Sequence, residues 1–408
     1  MTNSINENRR ISFEVLLWLL WSSGTLMKCA QTLISQIQIL RGISDNLMIA
    51  CYAIAILFAI RDFQVSAKDI LFVLLIYAVF ILECLTRGQN NPYLESYYFV
   101  FPLKTVIFYL VGVSFSQNER KEEIIRHLYI ISMIALPLCM ADKAIFGTPM
   151  DEIVSKFKGD MDLSYRLLPH CCLIAYYARK KPNLLNIVFT GISVLYLLLL
   201  GSRGPVLLLL ICIGWSLVMD WNIKKIVSAV SILCIAAAAF VLSPFYRISV
   251  QWMYNMAKNL GLSIRIFDRL LSVGLLDSTG RDELAQELFV SIRQHPLLGT
   301  GIASDRMVIG EYAHNIVLEL WVAFGVIIGT AIFAALIITF ARGYRLCATD
   351  AEKGLMITLL CSHFFKLFLS SSYMNEKFLF LLIGFCVGTI RIESKKNKKQ
   401  KHISRCSN

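Results

Sequence analysis

The sequence predicts an all-α polytopic membrane protein with about 12 transmembrane helices and one long extracytoplasmic helical loop between spans 9 and 10. Three observations carry that expectation. Of 408 residues, 57% are hydrophobic and only 17% are charged, against roughly 25% charged in an ordinary soluble domain. The apolar residues arrive in unbroken runs such as Leu184 to Leu200, which no water-facing surface tolerates. Basic residues punctuate every second connection between the runs, as in a chain threaded back and forth with its positive loops on one side.

A hydrocarbon core about 30 Å thick needs about 20 mostly apolar helical residues. On that rule spans lie near 13–33, 45–60, 69–86, 98–116, 124–146, 164–179, 183–200, 205–219, 224–243, 314–341, 354–371 and 377–391. The first follows Arg9 and Arg10 without a small-residue cleavage site, so it reads as a signal anchor. The basic connections hold Arg9 and Arg10, Arg61 and Lys68, Arg120 and Lys121, Arg179 to Lys181, Lys224 and Lys225, Arg342 and Arg345, and the C-terminal tail. The positive-inside rule makes these segments cytoplasmic and puts both termini inside. The chain thus divides into spans 1 to 9 (1–243), an extracytoplasmic loop with amphipathic helices (244–313), spans 10 to 12 (314–391) and a basic cytoplasmic tail (392–408). Of the formal net charge of +12, residues 391–408 supply +6 through seven basic residues and one acidic. Beside an apolar span such a tail suits anionic lipid rather than nucleic acid. Most of the 12 cysteines, including the vicinal Cys171 and Cys172, fall inside apolar runs and read as packing residues.

Two outer-face features stand out. One is the tight turn Gly201-Ser202-Arg203-Gly204-Pro205 between two apolar spans; the other is the loop itself. In the loop, Ile248, Trp252, Met256, Leu260, Ile264, Phe267 and Leu271 recur every three or four residues, forming an apolar stripe suited to the membrane surface. A second helix is expected from Ser278 or Thr279 to the break at Pro296. Arg203 sits at a mouth where a cation is costly, which marks it as functional, or it snorkels to headgroups. Arg281, in the first turn of a helix capped by Thr279, opposes the helix dipole. It either meets an anion such as phosphate or pairs with Asp282 or Glu283. His314 opens the tenth span, followed by Asn315, with Gly325 eleven residues on and nearly on the same face. It is either a base for a sugar hydroxyl or a structural hydrogen-bonder. Glu319 lies inside that span, to pair with a neighbouring helix or orient the site. Arg265 and Arg269 share a helix face and, with Arg293 and Arg306, fit solvated surface charges.

No Gly-x-x-x-x-Gly-Lys phosphate loop occurs, which argues against an ATP-driven transporter. The pair Asp160 and Asp162 lies in an outer loop, where nucleotide sugars are scarce. The first outer loop holds a lone Asp45 rather than an acidic cluster, so no metal and no cofactor are expected. A flippase or other secondary transporter would show paired halves, but the long loop breaks any equal division. Charges within the spans are few beyond Glu83, Lys104, Glu319 and Lys366.

Gly-Ser-Arg203-Gly after an apolar span, the long loop, Gly280-Arg281, the run His295-Pro296-Leu297-Leu298-Gly299-Thr300-Gly301 and His314-Asn315 together resemble the O-antigen ligase and polymerase superfamily, the Wzy and WaaL proteins. The motifs cover roughly residues 180–345, and the topology covers the whole chain. The resemblance implies a bacterial inner-membrane glycosyltransferase taking a glycan from undecaprenyl pyrophosphate on the outer face. Arg203 and Arg281 would hold the pyrophosphate without a metal, and His314 would activate the acceptor hydroxyl. The bilayer and a chain-length-regulating membrane protein are the further partners it implies. Of the ligase pattern after His-Asn, Gly325 fits, but Ile328 stands where Gly, Thr or Tyr is expected, with Gly329 one place late. The stretch Asp162 to Pro169 looks more like the polymerases of capsule and exopolysaccharide clusters. A polymerase is therefore expected, with Arg265, Arg269, Asn315 and Glu319 binding substrate. The alternative is a ligase joining the glycan to lipid A-core.

Overall fold

The computed structural model describes residues 2–38, 41–87, 91–97, 100–146, 160–219, 225, 243–259, 271 and 281–406. Among these residues the chain is all-α, with 16 α-helices. In chain order they are α1 (Thr2–Trp21), α2 (Leu26–Gln36), α3 (Ser44–Ala59), α4 (Ala67–Arg87), α5 (Pro92–Glu95), α6 (Val100–Ser116), α7 (Lys121–Phe146) and α8 (Met161–Lys180). There follow α9 (Leu184–Leu199), α10 (Arg203–Val218), α11 (Pro244–Asn259), α12 (Arg281–Gln294), α13 (Asp305–Ile309), α14 (Ile316–Leu346), α15 (Asp350–Leu359) and α16 (Lys377–Cys406).

Among the described residues, four stretches are long and apolar enough to cross a membrane: Ser44–Asp62, Ala67–Thr86, Lys121–Lys143 and Ile316–Leu346. Shorter apolar helices cover Ser12–Trp21, Val100–Ser116, Leu184–Leu199 and Arg203–Val218. The architecture is that of a multi-pass membrane protein. Three expected spans are not single helices. The first breaks into α1 and α2 at residues 22–25, where Ser22, Ser23, Gly24 and Thr25 offer hydroxyls and a small residue to a turn. The tenth is interrupted at Gly325. The eleventh passes from α15 into a π-helical turn, Leu360–Phe364, and a 3₁₀ turn, Phe365–Phe368. The ninth, apart from Lys225 and Ser243, lies outside the described residues. The basic tail continues α16 without a break to Cys406, because lysine and glutamine are good helix formers.

The chain forms two compact units. One comprises Leu19–Ala50 and His127–Ser278. Its buried centre is His170 on α8, whose Nε2 meets Thr25 Oγ1 at 2.9 Å and whose Nδ1 meets Ser132 Oγ at 3.0 Å. Trp21 donates to the same Ser132 at 3.1 Å. Tyr129 stacks on Tyr177 at 4.1 Å. On α11, Phe245, Ile248, Trp252 and Met256 are exposed while Val250 is buried, so the expected apolar stripe points outward over the part described.

The other unit comprises Met1–Trp18, Cys51–Arg126 and Thr279–Asn408. Its core is the pair α6 and α16, held at close range by small residues. A Cβ on Gly112 would stand 2.1 Å from the Leu381 carbonyl oxygen, and one on Gly384 2.1 Å from that of Tyr109. Edge-on Phe108 and Phe378, centroids 5.0 Å apart, fill the space beside them. Asp69 of α4 accepts from Tyr109 at 2.8 Å and pairs with Arg391 at 2.5 Å, tying α4, α6 and α16 together. Lys121 pairs with the buried Glu352 at 2.6 Å. Between α4, α6, α14 and α16 runs an apolar groove of about 650 Å³.

Candidate active site

The residues singled out in the sequence fall into two groups, one in each unit. In the unit built on His170, Arg203 begins α10 and Ser202 precedes it at the cap position. The turn is tight because Gly201 adopts φ +76°. The start of α8 closes on it: the Asp160 N–H donates to the Leu200 carbonyl at 3.0 Å. A Cβ on Gly204 would stand 2.2 Å from the Tyr165 hydroxyl. The Ser164-Tyr165 segment and the Gly-Ser-Arg-Gly turn are therefore neighbours. Asp160 caps α8 through Leu163 N–H at 2.9 Å and pairs with Lys143 at 3.0 Å. Asp162 pairs with Arg166 at 3.0 Å. Both carboxylates thus have local protein partners. Among the described residues no group of three or more His, Cys, Asp or Glu side chains is placed to hold a metal ion.

The second group is built on α12, α13 and the broken helix α14. Leu288 and Ile292 of α12 pack on Leu318 and Val322 of α14 and on Ala313, so the helix opened by Arg281 lies against the start of the tenth span. Gly325 has φ 78° and ψ 167°, which opens the α14 ladder and frees backbone groups that must find partners. The run His295 to Gly301 supplies them. Thr300 N–H donates to Val322 O at 2.7 Å, Gly301 N–H to Ala323 O at 3.1 Å, and Val326 N–H to Pro296 O at 2.8 Å. Gly299, at φ +65°, lets this turn approach closely. Two short motifs thus form one interlocked joint, and Gly325 is the unwound hinge of its helix rather than a position on a continuous face.

His314 stands just ahead of α14, with φ +52°. Its side chain is 14% exposed, and its ring lies 4.2 Å from that of Tyr312. Nε2 meets Glu311 Oε2 at 3.3 Å, whereas the buried Nδ1 has no hydrogen-bond partner. With Glu311 accepting the Nε2 proton, the lone pair falls on Nδ1. Burial holds the imidazole below its ordinary ionisation range, against the pull of Glu311, and the nearby Arg281 guanidinium presses it the same way. The environment thus favours the neutral imidazole. Arg281 is half-buried, close enough to act electrostatically on both His314 and Tyr312.

Asn315, expected to bind substrate, caps α14 by accepting from Val317 N–H at 2.9 Å. Glu319 is buried; it accepts from the Ser372 hydroxyl and, at 3.2 Å, from Tyr373 N–H. Arg306 corrects the reading as a solvated surface charge. It is 4% exposed, donates to Asp305 at 2.8 Å and to Ser372 at 3.0 Å, and lies 3.8 Å from Glu319. Its guanidinium also stands 5.2 Å from the Tyr97 ring centroid. A buried guanidinium keeps its charge only with such partners. Arg293 is exposed. Arg265, Arg269 and the Thr279 cap lie outside the described residues.

Missed in the sequence were Asp305, Glu311, Tyr97 and Ser372. Glu311, three residues before His314, carried the one local signal. A comparison with curated proteins finds no match. The family model of the O-antigen ligases, Wzy_C, matches residues 188–334, a stretch that contains the Arg203 turn, the joint at Gly325 and His314, so this part of the chain is similar to the O-antigen ligase family.

Proposed function

We propose that the chain polymerises undecaprenyl-pyrophosphate-linked repeat units on the outer face of the cytoplasmic membrane, with His314 as general base. The observation that carries this reading is the half-buried imidazole whose Nδ1 lacks a partner while Glu311 holds its other nitrogen. The acceptor hydroxyl attacks the anomeric carbon of the donor glycan and its proton passes to Nδ1. The bond from that carbon to the pyrophosphate oxygen breaks, and the carrier leaves as undecaprenyl pyrophosphate. In this reading Arg281, which acts electrostatically on His314, bears on the charge that grows on the leaving oxygens, where a preorganised guanidinium is most effective. Arg203 is a further proposed phosphate contact, resting on its own turn. The apolar groove suits a prenyl chain. Ile302, Ile316 and Tyr373 line it beside the buried Arg306 and Glu319, and Lys68 and Arg391 line its other end.

A neutral base fixes the pH dependence. Transfer should be fully developed at pH 7 and fall only as His314 protonates, below the ordinary imidazole value of about 6.5. A kcat/KM profile from pH 4.5 to 8 checks this; a rate that rises on acidification would contradict the role.

Polymerase and ligase are separated with purified protein and one defined undecaprenyl-pyrophosphate repeat unit. A polymerase makes a ladder of products from that substrate alone. Products that appear only with added lipid A-core, each carrying a single chain, would make the protein a ligase. The family match accommodates either enzyme; the Asp162 to Pro169 stretch and its seat at the Arg203 turn favour the polymerase.

A further inference from the structure

His314 and Ala303 are the only non-glycine residues at positive φ among those described. A side chain in that sparsely populated region persists only where its surroundings over-determine it, and here both neighbours of His314 are fastened. After it, Asn315 caps α14 and accepts from Glu319 N–H at 2.9 Å. Before it, Ala313 N–H donates to Asp305 Oδ2 at 2.9 Å. That carboxylate is 2% exposed, and its second oxygen accepts from Arg306 at 2.8 Å. Arg306 in turn reaches Ser372 at 3.0 Å and Tyr97 at 3.4 Å. The chain returns to Asp305 through Gly310, which ends α13 at φ +76°.

We infer that Asp305, fixed by Arg306, is a positioning residue that aims the His314 imidazole by holding the Ala313 amide. This inference rests on the reading of His314 as the base. Two distant segments, at Tyr97 and Ser372, hold the Arg306 guanidinium, which in turn holds one oxygen of the neighbouring Asp305 carboxylate, while the other oxygen meets the residue next to the base. A displacement of about 1 Å at such a base costs about 100-fold in rate. Asp305→Ala should therefore lower kcat by roughly that factor while leaving the donor KM within about twofold. Asp305→Asn keeps an oxygen for the Ala313 amide and should lose less.

The deciding experiment compares Asp305→Ala in the wild-type background and in His314→Gly, where free imidazole serves as the base. Solution imidazole does not need the loop to aim it, so Asp305→Ala should leave the imidazole-supported rate unchanged. If imidazole does not restore transfer, the residual rates of His314→Gly with and without Asp305→Ala make the same comparison. An equal loss in both backgrounds would show that Asp305 acts on the fold at large and overturn the inference. Wild-type turnover in Asp305→Ala, with normal thermal stability, would overturn it too. Unimpaired His314→Gly would instead refute the base assignment itself, an outcome distinct from either.

Discussion

Replacing His314 with alanine is expected to lower glycan transfer roughly 10²- to 10⁴-fold, the usual worth of a positioned general base, in a protein that inserts and folds as before. Folding should survive because the imidazole makes one bond, at 3.3 Å to the exposed Glu311, and leaves Nδ1 unpartnered. Removing it strands no buried donor. Alanine gives up only the ring contact with Tyr312, and φ +52° disfavours any side chain there. The loss should fall on kcat, since a base acts on the acceptor proton in the transition state and contributes little to holding the lipid-linked donor. Transfer from a defined lipid-linked repeat unit, alongside the thermal midpoint of the detergent-solubilised protein, measures both halves. Wild-type turnover would remove His314 from the chemistry and leave its unusual conformation to be explained by structure alone.

Local features were legible where local physics decides. The helix expected from Ser278 or Thr279 to Pro296 is described over Arg281–Gln294, since a proline and a run of good helix formers act within one segment. The caps at Asn183, Asn315 and Thr349 are equally local, yet they were not read as such, and Asn315 was expected to bind substrate instead. The break at residues 22–25 was also written locally, in Ser-Ser-Gly-Thr, but averaging hydropathy over about 20 residues smooths four small polar ones into the surrounding span.

The candidate site was legible only in part, and the missing part is what comes together from distant segments. Nothing next to Arg306 separates it from Arg293, yet one is buried and the other exposed. The difference lies in Tyr97, Glu319 and Ser372, which the fold brings from elsewhere in the chain. Asp305 is equally silent in sequence, because its task is to hold a backbone amide eight residues on, and any residue but proline has one. Gly325 was noticed for its spacing from His314, a periodicity that holds only in an unbroken helix. Its actual use depends on the turn from Pro296 to Gly301, which no count along α14 reveals.

That turn makes Gly325→Ala a heavily damaging substitution. At φ 78° and ψ 167° the backbone lies where glycine is essentially the only occupant. An added Cβ would also stand 2.2 Å from the Leu297 carbonyl oxygen and 2.8 Å from that of Pro296. Both are backbone atoms, so no rotamer change relieves them. The helix could relax only by rewinding through the hinge. Val322 and Ala323 would then turn their carbonyls back into the ladder, leaving Thr300 and Gly301 N–H without acceptors and Pro296 O without a donor. Gly301 is buried and Thr300 half-buried, so each N–H so abandoned away from water costs about 1–3 kcal/mol, and the strained dihedrals add about 1–3 kcal/mol if the hinge is kept. Either route removes a large share of the 5–15 kcal/mol typical of a folded domain. Gly325→Ala should accumulate poorly in membranes, melt at a lower temperature and transfer little glycan, because the joint it breaks leads directly into Ile302, Asp305 and the His314 turn. Gly214→Ala is the matched control: that helical glycine has nothing within 4 Å of its would-be Cβ and should gain roughly 0.5–1 kcal/mol from helix propensity. Wild-type abundance, melting temperature and transfer in Gly325→Ala would show that α14 runs straight through residue 325 and that the turn from Pro296 to Gly301 seats elsewhere.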